Sequence, residues 1–270
     1  MNTSKEIGIP FTDQQMYNRQ MTKTLNDKMF FTNILPEDDY VFVDFGCADG
    51  AMIKELKKIY PGSRFIGYDC SQSMIDAARS NVGQDVDTIF TTDFHTVERV
   101  LGLEHDTKRV LILSSVIHEV YSYAESEKDI EFFWKVLTSD WFDYICVRDM
   151  MYDKSMIRPS DPDAVKRLRG NLNIAKQVED FERVAGPITD NKNLVHFLLK
   201  YRYLVNWNRE VNENYFPVDI ETFLRKFRKE DIIYLERFRV PFLDECIAED
   251  FGIRLTDYTH VKLIVKGFRK

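Results

Sequence analysis

The segment Asp44-Phe45-Gly46-Cys47-Ala48-Asp49-Gly50 sits between an apolar run and a helical pattern. Its small residues let the backbone turn sharply and approach a ligand without side-chain obstruction. About 20 residues further on, Asp69 ends a second apolar run, where a carboxylate can accept hydrogen bonds from the vicinal hydroxyls of a ribose. Turn and acid together point to a nucleoside-containing ligand. The dinucleotide fingerprint G-x-G-x-x-G is not met, because Gly46 and Gly50 stand four apart with Ala48 at the intermediate small position. Pyrophosphate binding is therefore less well supported, and a dinucleotide-dependent oxidoreductase stands as an alternative.

A second group of chemically capable residues lies in Ser114-Ser115-Val116-Ile117-His118-Glu119-Val120-Tyr121-Ser122-Tyr123. The run before it reads as a buried strand, and the carboxyl end of such a strand faces the crevice where open α/β sheets bind ligands. His118 titrates near neutral pH and is the candidate base or acceptor-orienting group; Glu119 supplies a nearby charge, and Tyr121 and Tyr123 are placed to wall or hydrogen-bond a substrate. The alternative is a histidine that only packs beside the ligand. Further along, Tyr201-Arg202-Tyr203-Leu204-Val205-Asn206-Trp207-Asn208-Arg209 interleaves basic and aromatic side chains. Tyr201 and Arg202 head this candidate grip for a base or an anionic ring. The competing and favoured reading is an amphipathic helix with aromatic core contacts and a solvated basic face.

The elements that must position these residues follow from periodicity. Apolar residues from Asp13 to Leu35 recur at near-helical spacing, and the pattern ends before Pro36. Tyr40–Phe45, Arg64–Asp69, Thr88–Thr91, Arg109–Ser114 and Tyr144–Arg148 read as strands, alternating with helices at Ala51–Tyr60, Ser71–Ser80, Thr96–Leu101 and Glu127–Leu137. Strands alternating with helices imply a mostly parallel sheet covered on both faces. After Met150 helices are expected over Asp161–Ala185, Asn191–Trp207 and Asp219–Phe227. Strand character returns at Ile232–Leu235 and His260–Val265, across a long connection containing Pro241 and Gly252. The expectation is an α/β, Rossmann-like, doubly wound, mostly parallel seven-stranded sheet. It is divided into a helical N-terminal arm (1–39), a core (40–150), a helical insertion or lid (151–230) and closing strands (231–270).

At its turn the chain resembles the class I S-adenosylmethionine-dependent methyltransferases, whose first motif runs acid, any residue, Gly, any, small, any, Gly after strand one. Gly67-Tyr68-Asp69-Cys70-Ser71-Gln72-Ser73-Met74 and Thr92-Asp93-Phe94 extend the resemblance over roughly residues 40 to 150. It implies that Gly46, Cys47, Ala48 and Gly50 lie against the methionine part of S-adenosylmethionine and that Asp44 positions its amino group. By the same resemblance Asp69 binds the ribose, Cys70 and Met74 border the adenine, and Asp93 accepts from the adenine amine with Phe94 alongside. Ser114 lends its backbone carbonyl to the methionine end. The reaction implied is methyl transfer to an oxygen or nitrogen acceptor. The N-P-P-Tyr motif of enzymes that methylate exocyclic base amines or protein glutamine is replaced by Ser114-Ser115-Val116-Ile117.

Composition narrows the partners. Hydrophobic residues make up 44% and charged residues 30%, the balance of a globular protein. A net charge of -7 repels phosphate backbones at long range, so a small-molecule acceptor is preferred over RNA. RNA modification through the basic aromatic segment and a noncatalytic cofactor-binding subunit remain the alternatives. His196 and His260 show no H-E-x-x-H spacing, so no catalytic metal is expected, and no G-x-S-x-G elbow signals a hydrolase. The cysteines Cys47, Cys70, Cys146 and Cys246 are scattered, and Met1–Glu6 lacks a basic region followed by an apolar run. A soluble cytoplasmic protein without a membrane anchor is expected.

Overall fold

The computed structural model describes residues 25–83 and 85–269. The part of the expected N-terminal helix that runs from Asp13 to Thr24 lies outside them. From there a short helix α1 (Leu25–Lys28) and a 3-10 turn (Phe30–Asn33) lead into the sheet.

Seven strands form one sheet: β1 (Tyr40–Phe45), β2 (Arg64–Tyr68), β3 (Thr88–Thr91), β4 (Lys108–Ser114), β5 (Tyr144–Met150), β6 (Ile232–Phe238) and β7 (His260–Lys266). Their order is β3-β2-β1-β4-β5-β7-β6. The first five pair in parallel, and β7 runs antiparallel to both β5 and β6. The fold is therefore the doubly wound, mostly parallel α/β sheet expected. Strand order reverses between β1 and β4, which opens a crevice at their carboxyl ends.

Alternation along β1 explains the two cores. Tyr40 and Phe42 pack on one face with Met52, Ile53 and Leu56 of α2 (Ala51–Ile59) and Ile75 and Ala78 of α3 (Gln72–Val82). Val41, Val43 and Phe45 pack on the other face, with Val97 and Leu101 of α4 (Phe94–Leu103) and Phe133 and Leu137 of α6 (Glu127–Leu137). All six residues of β1 are buried, as a strand covered on both faces requires. Between β4 and α6 lies a helix that periodicity did not resolve, α5 (Ile117–Tyr123).

The segment after β5 departs from expectation in detail. Asp161–Ala185 is two helices, α7 (Pro162–Gly170) and α8 (Ala175–Ala185), parted at Asn171, whose side chain accepts from Asn173 N instead of continuing the helix. Helix α9 (Asn191–Lys200) ends before Tyr201, and only a single turn, α10 (Trp207–Glu210), follows before α11 (Ile220–Leu224). The connection between β6 and β7 carries α12 (Pro241–Phe251), with proline in its first turn and Gly252 in the left-handed conformation at its end. Leu243, Cys246, Ile247 and Phe251 of α12 share a third core with α7, α8 and α9, including the fully buried Phe181 and Phe197. Among the described residues no helix is long and apolar enough to cross a membrane.

Candidate active site

The turn after β1 is held open by backbone conformation. Gly46, Ala48 and Gly50 all have positive φ, at +81°, +46° and +73°. At Gly46 a Cβ would stand 2.6 Å from Val116 Cγ2, so both the dihedral and the space demand glycine. Ala48 takes the left-handed region at a cost, and strain of this kind persists where surrounding bonds over-determine it. Those bonds are present. Gly46 N and Cys47 N donate to Tyr68 O at 2.7 and 3.0 Å, and Ala48 N donates to Asp69 Oδ2 at 3.0 Å. Asp69 Oδ1 accepts from Ser71 N at 2.9 Å. The half-buried Asp69 thus fastens the turn to the start of α3 and keeps lone pairs on both oxygens for a ligand.

A cleft of about 360 Å³ opens beside this turn, walled by Phe45, Gly46, Tyr68, Asp69, Cys70, Val116, Glu119, Tyr123 and Phe132, among others. Next to Phe45 in β1, Asp44 is fully buried, and burial pushes its carboxyl up to about 7, with Lys28 pulling it down and Asp69 adding to the rise. Ser114 Oγ at the end of β4 is buried and finds no hydrogen-bond partner among the described residues.

Not every residue assigned from the resemblance faces the cleft with its side chain. Cys47 points inward, packing in the core behind the turn, where burial raises its thiol well above the ordinary value; only its backbone belongs to the turn. Phe94 is buried edge-on against Tyr68 and Phe132. Asp93 caps α4, accepting from His95 N at 3.0 Å and Thr96 Oγ1 at 3.1 Å. Met74 and Cys70 are exposed at the carboxyl edge of β2 and the first turn of α3.

Across the switch point the chain leaves β4 through Ser115, a second non-glycine residue at positive φ (+57°). Ser115 N donates to Arg148 O at 2.8 Å, and Arg148 Nη1 donates to Ser115 Oγ at 3.2 Å. This bend starts α5 so that His118 meets Asp149, the penultimate residue of β5. His118 Nδ1 lies 2.7 Å from Asp149 Oδ1; Asp149 also accepts Met150 N and Ile117 N, each at 2.7 Å. Asp149 thereby caps α5 and orients the imidazole together. An ionised carboxylate only accepts, which assigns the Nδ1 proton to the shared bond and leaves Nε2 with a lone pair.

The electrostatics reinforce that assignment. Burial opposes ionisation of Asp149, but the charge and hydrogen bond of His118 and the two backbone N–H groups outweigh it and hold the carboxyl below its ordinary value. Burial likewise works against charge on His118, and Asp149, Glu119 and Glu213 more than offset it, leaving the imidazole above its ordinary value. A buried histidine so paired is a stronger base than a free one.

A second cavity, of about 250 Å³, lies on the His118 side. Its floor holds Lys28, Ser115, His118, Arg148 and Met150; its roof brings Leu199, Tyr203, Glu210, Glu213, Tyr215 and Leu243 from the helical layer. Glu119 borders both cavities. Tyr123, on the cleft side, donates its hydroxyl to Glu213 at 2.7 Å. The roof loop is pinned from above: Lys200 Nζ donates to Glu210 O and Glu213 O at 2.6 Å each, and Tyr215 N donates to His196 Nε2 at 3.2 Å. Tyr215 packs edge-on against His118 at 5.4 Å.

Three substrate-side expectations are corrected. Tyr201 is buried and donates to Asp250, and the guanidinium of Arg202, 2% exposed, is paired with the same carboxylate. Helix α9 ends at Lys200 and turns both side chains into the third core, so neither is presented to an acceptor. The basic-aromatic grip on RNA loses these two members. Tyr121 leaves the site as well: its hydroxyl accepts from Trp134 Nε1 at 2.8 Å, on the face of α5 packed against α6. The residues that sequence reasoning missed are Asp149, Glu210, Glu213 and Tyr215. Among the described residues no group of three or more His, Cys, Asp and Glu is placed to hold a metal ion.

No family model matches the chain, and no curated protein does. Among solved structures it is similar to the plantazolicin methyltransferase BpumL in complex with a pentazolic desmethylPZN analog and SAH, at 13% identity over 98% of this chain and 91% of that one, with a TM-score of 0.45. It is also similar to the mitomycin 7-O-methyltransferase MmcR, at 11% identity over 94% of this chain and 57% of that one, TM-score 0.42. A third is the methyltransferase domain of bacterial CtHen1, at 12% identity over 90% and 95%, TM-score 0.42. Identities this low and TM-scores below 0.5 add nothing to the sheet order and site geometry that the chain itself displays.

Proposed function

We propose that the chain transfers a methyl group from S-adenosylmethionine to an oxygen or nitrogen of a small-molecule acceptor bound beside His118. The observation that carries this reading is the juxtaposition at one switch point. A positive-φ turn fastened by Asp69 sits across Glu119 from a buried His118–Asp149 pair whose histidine lines a separate cavity.

The residues present fit the cofactor. Asp44 is a carboxyl that burial raises to about 7 against the pull of Lys28, and the ammonium at the aminoacyl end of the cofactor would favour its ionised form. Ser114 Oγ is a buried polar atom with no hydrogen-bond partner among the described residues. Asp69 has lone pairs left for a ribose, and Gly46 leaves the main chain bare. When bound, the cofactor supplies a methyl group already activated on a sulfonium. His118 then has one task, to orient the acceptor and take its proton at Nε2. Asp149 holds the imidazole in the correct tautomer and stabilises it once protonated. The helical layer partly covers the cavity, so charges lining it are screened less than on the open surface.

Calorimetric titration with S-adenosylhomocysteine, against NAD as control, tests the reading. One site per chain for S-adenosylhomocysteine is expected, with Asp69→Ala weakening it by roughly 100-fold through loss of two charge-assisted hydrogen bonds. Tight NAD binding alone would assign the turn to a dinucleotide.

A further inference from the structure

The cavity beside His118 carries an unusual surplus of carboxylate. Glu119, Glu210 and Glu213 all line it. Among the described residues Arg209 forms ion pairs with two of them, at 3.1 Å from Glu119 and 2.9 Å from Glu213. Arg209 is 56% exposed, so solvent screens what it neutralises, whereas Glu213 is only 4% exposed. Glu210 receives a hydroxyl from Tyr215; burial raises its carboxyl, and that hydroxyl with the charges of Lys200 and Arg209 only partly offsets the rise. Lys200 directs its donors to the carbonyls of Glu210 and Glu213, and burial lowers its ammonium to about 7, which leaves it half neutral near that pH.

The cations on the floor do not cancel this surplus. Arg148 is bound through Nε and Nη2 to Asp27 at 3.2 Å, a carboxylate it shares with Lys262, which also pairs with Glu236 at 3.5 Å. Lys28 lies in the field of Asp44 and Asp149 as well as Glu119. His118 is matched by Asp149. What is left facing the cavity is a carboxylate arc on the roof, with the aromatic walls of Tyr203 and Tyr215 beside it. Carboxylates in a low-dielectric enclosure attract a cation and repel an anion far more strongly than they do in water. Aromatic walls suit a cation, and Tyr215 already holds Lys200 Nζ 4.3 Å from its ring centroid.

We propose that this cavity selects small acceptors carrying a protonated amine, which Glu210 and Glu213 engage while His118 faces the reacting atom. The proposal takes its word "acceptor" from the methyltransferase reading, but the charge preference is a property of the cavity itself.

Phenethylamine, 2-phenylethanol and phenylacetate share a ring and a similar length and differ in charge. Titrated by calorimetry with and without saturating S-adenosylhomocysteine, the amine is expected to bind at least about tenfold more tightly than the alcohol, and phenylacetate weakest. Glu210→Gln and Glu213→Gln are each expected to bring amine and alcohol to within about threefold of each other, with S-adenosylhomocysteine affinity unchanged. Equal binding of the three, preference for phenylacetate, or no binding of phenethylamine overturns the proposal, and the wild-type ordering decides it even where a variant fails to fold. Absence of S-adenosylhomocysteine binding counts against the methyltransferase reading alone, since the amine preference is read in its absence too.

Discussion

The two cavities on either side of Glu119 are built by different means. The cleft after β1 is made of main chain: three positive-φ residues within five positions, two N–H groups on one carbonyl, and one carboxylate fastening the turn. The cavity beside His118 is made of side chains drawn from α5, β5, α9 and the loop around α10. A main-chain site lies in one or two short stretches of sequence and depends on few side chains, here the bare glycines and the fastening Asp69. A side-chain site depends on the whole tertiary structure and is correspondingly free to change its acceptor.

The largest expected effect falls on the side-chain cavity. Replacing His118 by Ala removes the base and is expected to lower kcat by roughly 100- to 10,000-fold while leaving S-adenosylhomocysteine affinity as it was. A fall in cofactor affinity with little change in kcat would instead make His118 a packing residue of the cleft, and would erase the division between the two cavities.

Asp149→Asn is the next test. Removing the charge from a buried, fully engaged pair costs on the order of 3–5 kcal/mol, read as a loss of stability in denaturant unfolding. The pH window follows from the two shifts. Asp149 is depressed on folding, so its contribution is present above the ordinary carboxylate value and is lost as pH falls through the folded one. His118 is raised, so its contribution is full below the ordinary imidazole value and is lost as pH rises through the folded one. The gap between wild type and variant should therefore be widest between about pH 4 and pH 6.5. A gap that does not vary with pH would mean that the pair is not ionised.

A smaller effect probes the main-chain cleft. Asp44 is raised to about 7 in the free protein, and an ammonium beside it favours the ionised form. Below pH 7 binding of S-adenosylhomocysteine must then release a proton, and affinity should fall toward tenfold per pH unit as the solution is acidified. Titrations in buffers of different ionisation enthalpy read that proton directly, and Asp44→Asn should flatten the dependence.

The same division governs what could be read from the chain alone. Strands β1 and β3 and helix α6 follow from apolar runs and turn residues with their bounds intact. The turn and Asp69 were legible because neighbouring residues make them. Helix α12 was not, although Pro241 in its first turn and Gly252 at its end are the signals that frame a helix; its apolar residues face a core that only tertiary structure supplies. Asp149 escaped because its partner lies 31 residues away, brought near by the parallel register that sets Ser114 beside Arg148. The stretch from Tyr201 to Arg209 was legible in part: the favoured expectation of aromatic core contacts fits the buried Tyr201 and Trp207, but the helix ends at Lys200, Arg202 turns inward to Asp250, and Arg209 stays outside, bridging Glu119 and Glu213.

The account stands most directly on a crystal structure of the chain with S-adenosylhomocysteine. It predicts the ribose hydroxyls on Asp69, the amino group beside Asp44, and the sulfur at the opening past Glu119 toward His118. A sugar away from Asp69, or a sulfur turned from the His118 cavity, would contradict it.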